Sequence, residues 1–159
     1  MLVPRPIEPD SEGGFRLRLS DGERELLRTL PGELREVLDA ERDDPSLRRL
    51  FPPAYEQDEE GEDEYRSLMG DELLEGRRAA LRLVEETAGR DRLTAAELDG
   101  WLRALNDLRL VLGTRLGVTE DTYMTELDPR HPDAYELSVY GYLSWLQEQL
   151  VAAAAGGLG

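Results

Sequence analysis

Residues 94–117, TAAELDGWLRALNDLRLVLGTRLG, determine the class of fold that this sequence encodes. Thr94 and Glu97 have the spacing of a capping box, in which each side chain accepts a hydrogen bond from the other residue's backbone N–H at a helix start. After them, apolar side chains recur every three or four residues as far as Leu116, and Gly117 is a typical residue just past a helix end. The stretch therefore predicts one long helix with a defined beginning and end.

The segment that follows the first twenty residues carries a second helix-start signal. Ser20 and Glu23 have the same capping-box spacing, and leucines follow on one face. Pro31 and Gly32 then interrupt the run. Because proline lacks a backbone N–H and its ring clashes with the preceding turn, we expect the helix to break or kink here, with a second amphipathic segment that includes Leu34.

Apolar side chains recur at helical spacing in two more stretches, residues 63–87 and 135–155. Residues 1–20 show a different pattern. A turn-forming segment is followed by apolar residues that alternate with arginines, which is the period-two pattern of a strand. The sequence therefore predicts a mainly α fold: a compact bundle of four to five helices over residues 21–155, with an N-terminal β-hairpin over residues 1–20.

The length of 159 residues predicts a single domain, residues 1–159, and a 40% share of hydrophobic residues suffices for its core. We expect its last residues, 156–159, to fray. The longest apolar run, residues 150–155, is far shorter than the roughly 20 residues of a membrane span, and prolines and charges interrupt the N-terminus where a secretory signal would be apolar. We therefore expect a cytoplasmic protein without a membrane partner.

The composition removes most familiar catalytic chemistries. There is no cysteine, so disulfides, thiolate nucleophiles and cysteine zinc sites are excluded. All 19 basic residues are arginine, which excludes a P-loop or Schiff-base lysine, and His131 is the only histidine. Its His-Pro-Asp context matches the tripeptide of J-domain co-chaperones, but no basic helix precedes it. We expect no catalytic residue, no metal site and no cofactor.

The charge argues against nucleic acid as a partner. The 35 acidic residues leave a formal net charge of −16, which repels a duplex unless a basic face is segregated from the rest of the surface. The arginines of the cluster Arg77, Arg78 and Arg82 are flanked by glutamates. Direct nucleic-acid binding is therefore not expected.

Residues 56–64, EQDEEGEDE, predict a solvated acidic loop or a docking surface for a basic partner. Their carboxylates are those of Glu56, Asp58, Glu59, Glu60, Glu62, Asp63 and Glu64. A calcium loop that began at Glu56 would require a bidentate glutamate at its twelfth position. Ser67 stands there, so calcium binding is not favoured.

Four polar residues stand out in the helix over residues 94–117: Asn106, Asp107, Arg109 and Arg115. Arg109 shares a helical face with Leu105 and Leu112, and it needs carboxylate or carbonyl partners because a buried, unpaired charge costs several kcal/mol. Asn106 is the only asparagine and lies inside a helix, against its propensity. The four residues form either a structural polar network between helices or a site for a partner or ligand.

Six of the ten aromatic side chains lie between residues 101 and 145: Trp101, Tyr123, Tyr135, Tyr140, Tyr142 and Trp145. We expect most of them in the core, with Tyr135 and Tyr142 on the inward face of the last helix and Tyr140 left outside. An exposed aromatic patch would suit a homodimer or a contact between a helix and a groove.

Three strings resemble a known family: residues 44–55 (DPSLRRLFPPAY), residues 105–113 (LNDLRLVLG) and residues 145–147 (WLQ). They are similar to the actinobacterial AosR-type oxidative-stress transcriptional regulators, formerly described as a domain of unknown function. The resemblance implies a helical, non-enzymatic regulator that contacts another protein of the transcription machinery, such as a sigma factor or a polymerase component. Redox sensing in that family is attributed to a cysteine pair, which this chain lacks.

An acidic exterior agrees with a basic protein partner, because it attracts such a partner and accelerates encounter. Two other functions stay open. One is a small-molecule or metal-dependent enzyme with carboxylates around Arg109, including a carboxylate-only magnesium site. It requires a concave polar pocket lined by Arg109 and converging acids. The other is a proteolysis adaptor, which differs from the regulator only in its partner.

Overall fold

Four helices and three short strands form the part of the chain that the computed structural model describes, residues 5–40, 63–117, 130 and 132–156, with the side chains of residues 40 and 63–71 left out. The helices are α1 (Asp21–Ala40), α2 (Asp63–Thr87), α3 (Ala95–Leu116) and α4 (Ala134–Gly156). The strands are β1 (Ile7–Pro9), β2 (Phe15–Leu17) and β3 (Arg92–Leu93). The predicted mainly α fold with an N-terminal hairpin is confirmed.

The strands form an antiparallel sheet in the order β1-β2-β3, in which Ile7 pairs with Leu17 and Phe15 with Leu93. These four side chains are buried. The predicted hairpin is present, but β3 was not predicted, because two residues are too short to show a period-two pattern. Pro9 is compatible with pairing because β1 lies at the edge of the sheet.

Helix α1 is continuous through Pro31, so of the two expected outcomes, a break or a kink, the break is wrong. Leu27, Leu34 and Leu38 are buried on one face before and after the proline. An interior proline costs about 3 kcal/mol, whereas each fully buried leucine contributes about 1.5 to 3 kcal/mol, so packing outweighs the local penalty. The capping box is confirmed: the Ser20 N–H donates to the Glu23 carboxylate (3.1 Å), and the Glu23 N–H donates to the Ser20 hydroxyl (3.2 Å).

Helix α3 packs against α2 and α4 and, over a shorter contact, against α1. Its predicted limits are confirmed by the reciprocal hydrogen bonds of Thr94 and Glu97 (2.8 and 3.1 Å) and by Gly117, which ends the helix with a φ of +64°. Trp101 is fully buried, and its indole N–H donates to the Thr87 hydroxyl of α2 (2.7 Å). This bond satisfies the polar atom of the largest core side chain.

The limits of α2 and α4 change two predictions. Asp63 and Glu64 belong to the first turn of α2 and not to a loop. The rest of the predicted acidic loop, residues 56–62, lies outside the described residues, as does His131. Gly156, expected to fray, is the last residue of α4.

The inward face of α4 is formed by Val139, Leu143, Leu146 and Leu150, all buried. The prediction that Tyr135 points inward is wrong, because its side chain is 69% exposed. Tyr135 lies one turn before Val139 on the same stripe, and helical periodicity alone does not show where the packing neighbour ends. Among the described helices, none is long and apolar enough to cross a membrane.

Candidate functional site

The four polar residues of α3 that the sequence singles out lie beside three different helices. Asn106 and Asp107 line a cleft beside α2, Arg109 contacts α4, and Arg115 lines an apolar cleft beside α1. Successive helical residues are turned by about 100°, so positions close in sequence diverge around the helix axis. The structure therefore does not form one site from the predicted set, and it brings only Asn106 and Asp107 together.

The cleft between α2 and α3, called the α2/α3 cleft below, has a volume of about 420 Å³. Its lining consists of one apolar wall and several charged or polar groups: Glu72, Leu73, Gly76, Arg77, Ala80, Arg103, Asn106 and Asp107. Asp107 is only 3% exposed, whereas Asn106 and Glu72 are exposed at the rim. The cleft thus has a buried carboxylate beneath an accessible polar rim.

The buried carboxylate is ion-paired. The Nη1 atom of Arg77 donates to Oδ1 of Asp107, which joins α2 to α3 across the cleft. Burial raises the pKa of the Asp107 carboxyl above its ordinary value, and the Arg77 guanidinium opposes that rise. Among the described residues, no side chain donates to the second oxygen, Oδ2. Asp107 can therefore accept a further hydrogen bond.

At Gly76 the wall of the α2/α3 cleft has no side chain. A glycine inside a helix costs about 0.5 to 1 kcal/mol relative to alanine, so its presence needs a reason. At two other helical glycines the neighbours supply one: a Cβ at Gly100 would overlap Leu83, and a Cβ at Gly113 would lie 3.0 Å from the Tyr140 ring. A Cβ at Gly76 would have nothing within 4 Å. The space beside Gly76 is left free by the protein's own packing.

Arg109 joins α3 to α4. Its Nε atom donates to the Ser144 hydroxyl (3.0 Å), its Nη1 atom donates to the amide oxygen of Gln147 (2.7 Å), and its guanidinium lies 5.9 Å from the centre of the Tyr140 ring. The predicted need for a carbonyl partner is met by Gln147, and Tyr140 is half-buried rather than fully outside. This geometry favours the structural interpretation of Arg109.

The enzyme alternative required acids that converge on Arg109, and the partners of Arg109 in the described residues are uncharged. Within residues 5–40, 63–117, 130 and 132–156, no group of three acidic or imidazole side chains is placed to hold a metal ion. The cluster Arg77, Arg78 and Arg82 does not form a basic face either. Arg77 pairs with Asp107, Arg78 with Asp39 of α1, and Arg82 lies 3.9 Å from a Glu75 oxygen.

Sequence reasoning found Asn106 and Asp107 but missed Gly76 and Arg77 as parts of the same cleft. Asn106 was conspicuous because an asparagine inside a helix violates propensity. In the sequence, Arg77 is visible only as a member of a charge cluster. Its partner is 30 positions away, so the pair depends on how α2 packs on α3.

The described residues define a mainly helical protein in which a central helix is tied to two neighbours by polar pairs and borders an open cleft. The chain belongs to the family described as a domain of unknown function (DUF2017), whose family model matches residues 5–154. The resemblance predicted from the three sequence strings is thereby confirmed.

Named relatives come from mycobacteria. The oxidative stress regulators AosR of Mycobacterium tuberculosis and Mycobacterium bovis are each 34% identical to this chain over 138 residues, covering 71% of this chain and 59% of the relative. A Mycobacterium leprae protein, also named AosR, is 36% identical over 129 residues, covering 70% and 58%. This chain therefore matches about three fifths of the length of these relatives. The comparison with solved structures found no match.

Proposed function

We propose that this protein is a non-enzymatic, transcription-associated regulator that acts in the cytoplasm by contacting another protein, and that the α2/α3 cleft is part of the contact surface. The regulatory role is supported by the names of the mycobacterial relatives, which describe oxidative stress regulators. The single observation that carries the contact site is the open cleft itself, in which Gly76 leaves free space beside the buried Asp107.

The partner fits the chemistry of a basic polypeptide segment. A net charge of −16 steers a basic protein toward this surface and raises its rate of association. Both cations of the cleft already have carboxylate partners, since Arg77 pairs with Asp107 and the Arg103 guanidinium lies 3.3 Å from Asp99. The hydrogen-bond acceptors that remain among the described residues are Glu72, the Asn106 amide and Oδ2 of Asp107.

A sigma factor or another component of RNA polymerase is the partner class that we propose, because such proteins present basic surfaces and control transcription. Gly76 would let the partner's backbone approach α2 closely. The Asn106 amide can both donate to and accept from that backbone, and a partner arginine or lysine would find acceptors in Glu72 and Asp107. In this arrangement the acidic exterior sets the rate of encounter and the cleft sets specificity.

Direct titration tests the proposal. The full chain is labelled and titrated, by fluorescence anisotropy, with purified core RNA polymerase and with each sigma factor of the organism. Gly76→Leu fills the cleft with a good helix former, and Gly22→Leu is the matched control, because Gly22 is also helical with nothing within 4 Å of an added Cβ. We expect Gly76→Leu to weaken binding by about tenfold or more, which is about 1.4 kcal/mol, and Gly22→Leu to leave it unchanged.

Two results would contradict the proposal. If no polymerase component binds the unmodified chain at micromolar concentration in low salt, the proposed partner class is wrong. If a component binds but both leucine variants bind equally well, the α2/α3 cleft is not the contact surface. Circular dichroism of the variants verifies that each one keeps its helices.

A further inference from the structure

We propose that a cavity on the outer face of the three-stranded sheet binds the phosphate group of a small molecule, and that Arg16 contacts this group. The cavity, called the sheet cavity below, has a volume of about 580 Å³, within the usual range of ligand pockets. It is lined by the hairpin, by residues 91 and 92 and by one residue of α1. Because its lining belongs to neither α2 nor α3, this inference is independent of the proposed function.

The first observation is the concentration of arginines around this cavity. Arg16, Arg18, Arg24 and Arg92 line it together with three carboxylates, so the formal charge of its lining is positive in a chain whose net charge is −16. At 0.1 M salt, charges more than about 10 Å away are largely screened, and the nearby guanidiniums therefore determine the local potential. The sheet cavity is a place where this acidic protein can attract an anion.

The second observation is the placement of like charges in the sheet. Arg16 of β2 lies directly opposite Arg92 of β3, and Arg18 follows two residues later on the same exposed side. Like charges that face each other across two strands destabilise a sheet. An anion bound beside Arg16 would offset this repulsion.

The third observation is that Arg16 lacks a counterion within the part of the chain that the structure describes. Glu8 lies opposite Arg16 on the other side of β2, but its carboxylate forms an ion pair with Arg18 (2.9 Å). Arg92 is bonded to Asp10. Arg16 itself forms no hydrogen bond or ion pair with any described residue, so its five N–H donors are available to a ligand.

Arg24 supplies a fixed positive charge beside the cavity. Its side chain is only 12% exposed, and its guanidinium donates to the backbone carbonyls of Leu19 (3.1 Å), Ala88 (3.0 Å) and Arg90 (2.6 Å). Its carboxylate partner, Asp91, lies 3.3 Å away and is 94% exposed, so water screens that pair. The carbonyl oxygens hold the guanidinium in place without neutralising its charge.

The available donors suit a tetrahedral anion better than a planar carboxylate. Besides Arg16, the Nε and Nη2 atoms of Arg18 and the hydroxyl of Ser11 have no hydrogen-bond partner among the described residues. A phosphate group has at least three oxygens that can accept from several such donors at once, whereas a carboxylate has two. Guanidiniums also match phosphate geometry with two parallel hydrogen bonds.

The lining favours a small phosphate compound over a nucleotide base or a nucleic acid. None of the described residues that line the sheet cavity is aromatic, so they offer a base no ring on which to stack. A single guanidinium without a counterion does not neutralise the run of phosphates that a nucleic acid presents. The recognised group is therefore one phosphate or a pyrophosphate.

Isothermal titration calorimetry of the full chain, at low salt in a phosphate-free buffer, tests the inference with inorganic phosphate, pyrophosphate, glycerol 3-phosphate and acetate. We expect pyrophosphate to bind with a Kd of about 1 mM or below, and acetate to bind at least about tenfold more weakly. Tighter binding of glycerol 3-phosphate than of inorganic phosphate would identify the ligand as a phosphate ester, and the reverse order would identify it as a free phosphate anion.

The variant Arg16→Gln removes the proposed contact, and Arg28→Gln is its control, because Arg28 is an exposed arginine of α1 outside the cavity lining, 3.5 Å from Glu25. Both variants remove one positive charge. We expect Arg16→Gln to weaken pyrophosphate binding by about tenfold or more and Arg28→Gln to leave it unchanged. In the absence of phosphate, we expect Arg16→Gln to have a higher Tm than Arg28→Gln, because it relieves the repulsion within the sheet.

Four results would overturn the inference. They are acetate binding as tight as pyrophosphate binding, no detectable binding of any phosphate compound at millimolar concentration, equal binding by the two glutamine variants, and a lower Tm for Arg16→Gln than for Arg28→Gln. The last result would mean that Arg16 stabilises the fold through a partner of its own. Circular dichroism of both variants verifies that the helices are retained.

Discussion

The ion pair between Arg77 and Asp107 supports a prediction about stability that depends on pH. The variant Arg77→Met keeps an unbranched side chain of similar length but removes the charge, and it leaves the Asp107 carboxylate without its guanidinium partner. The Asp107 side chain is only 4% exposed, so little water reaches the carboxylate to replace that partner. We expect the variant to fold with a substantially lower free energy of unfolding at pH 7.

The magnitude follows from the burial of the two groups. Removing one partner of a buried ion pair costs about 3 to 5 kcal/mol, whereas replacing both partners by apolar residues is often neutral or stabilising. For a chain of this length, the loss corresponds to a fall in Tm of roughly 6 to 20 °C. The double variant with Arg77→Met and Asp107→Leu is therefore expected to recover most of the stability that Arg77→Met loses.

The sign of the pH dependence is fixed by the direction of the pKa change. The pKa of Asp107 is already raised by burial, and removing Arg77 raises it further. A carboxyl whose pKa is higher in the folded state binds protons more readily when folded. Its destabilising effect is therefore absent below the unfolded pKa and grows as pH rises through the folded pKa.

Urea denaturation followed by circular dichroism, at pH 5 and pH 7, measures this effect. We expect the stability difference between the unmodified chain and Arg77→Met to be smaller at pH 5 than at pH 7, and the double variant to show little such change. A loss below about 1 kcal/mol at pH 7, or the same loss at both pH values, would show that Asp107 is solvated or otherwise paired, contrary to the reasoning from burial.

Three further predictions concern other contacts. Gly76→Ala is expected to raise the unfolding free energy by about 0.5 to 1 kcal/mol and Gly113→Ala to lower it, because only the second meets an aromatic ring at 3.0 Å; differential scanning calorimetry compares them. Tyr142→Phe removes the hydroxyl that donates to Glu23 (2.7 Å), at a cost of about 1.5 to 3 kcal/mol. Burial would raise the pKa of Glu23, but hydrogen bonds from Tyr142 and Ser20 lower it. Urea titrations should therefore show that the stability lost in Tyr142→Phe becomes smaller as pH falls below 4.5. Arg109→Leu is expected to destabilise the fold by about 1 to 3 kcal/mol without weakening polymerase binding, as denaturation and anisotropy would show.

The helices were predictable because their signals are local. The capping boxes at Ser20 and Thr94 and the apolar periodicity depend only on residues within a few positions of one another. The continuity of α1 through Pro31 depends instead on leucines that pack against other elements, and β3 exists because Phe15 of the hairpin offers it a pairing edge. Both features are set by contacts between distant parts of the chain.

The same distinction applies to the candidate site. Asn106 could be predicted as a site residue because an asparagine inside a helix violates helix propensity, which is a property of the sequence alone. The role of Gly76 became visible only when the surroundings of every helical glycine could be compared. A sequence shows where a glycine interrupts a helix, but it does not show whether a neighbour or empty space occupies the position of the missing Cβ.

The proposed contact surface makes a demand on charge that can be tested. A basic partner at the α2/α3 cleft is attracted by the acidic exterior, so added salt weakens that complex.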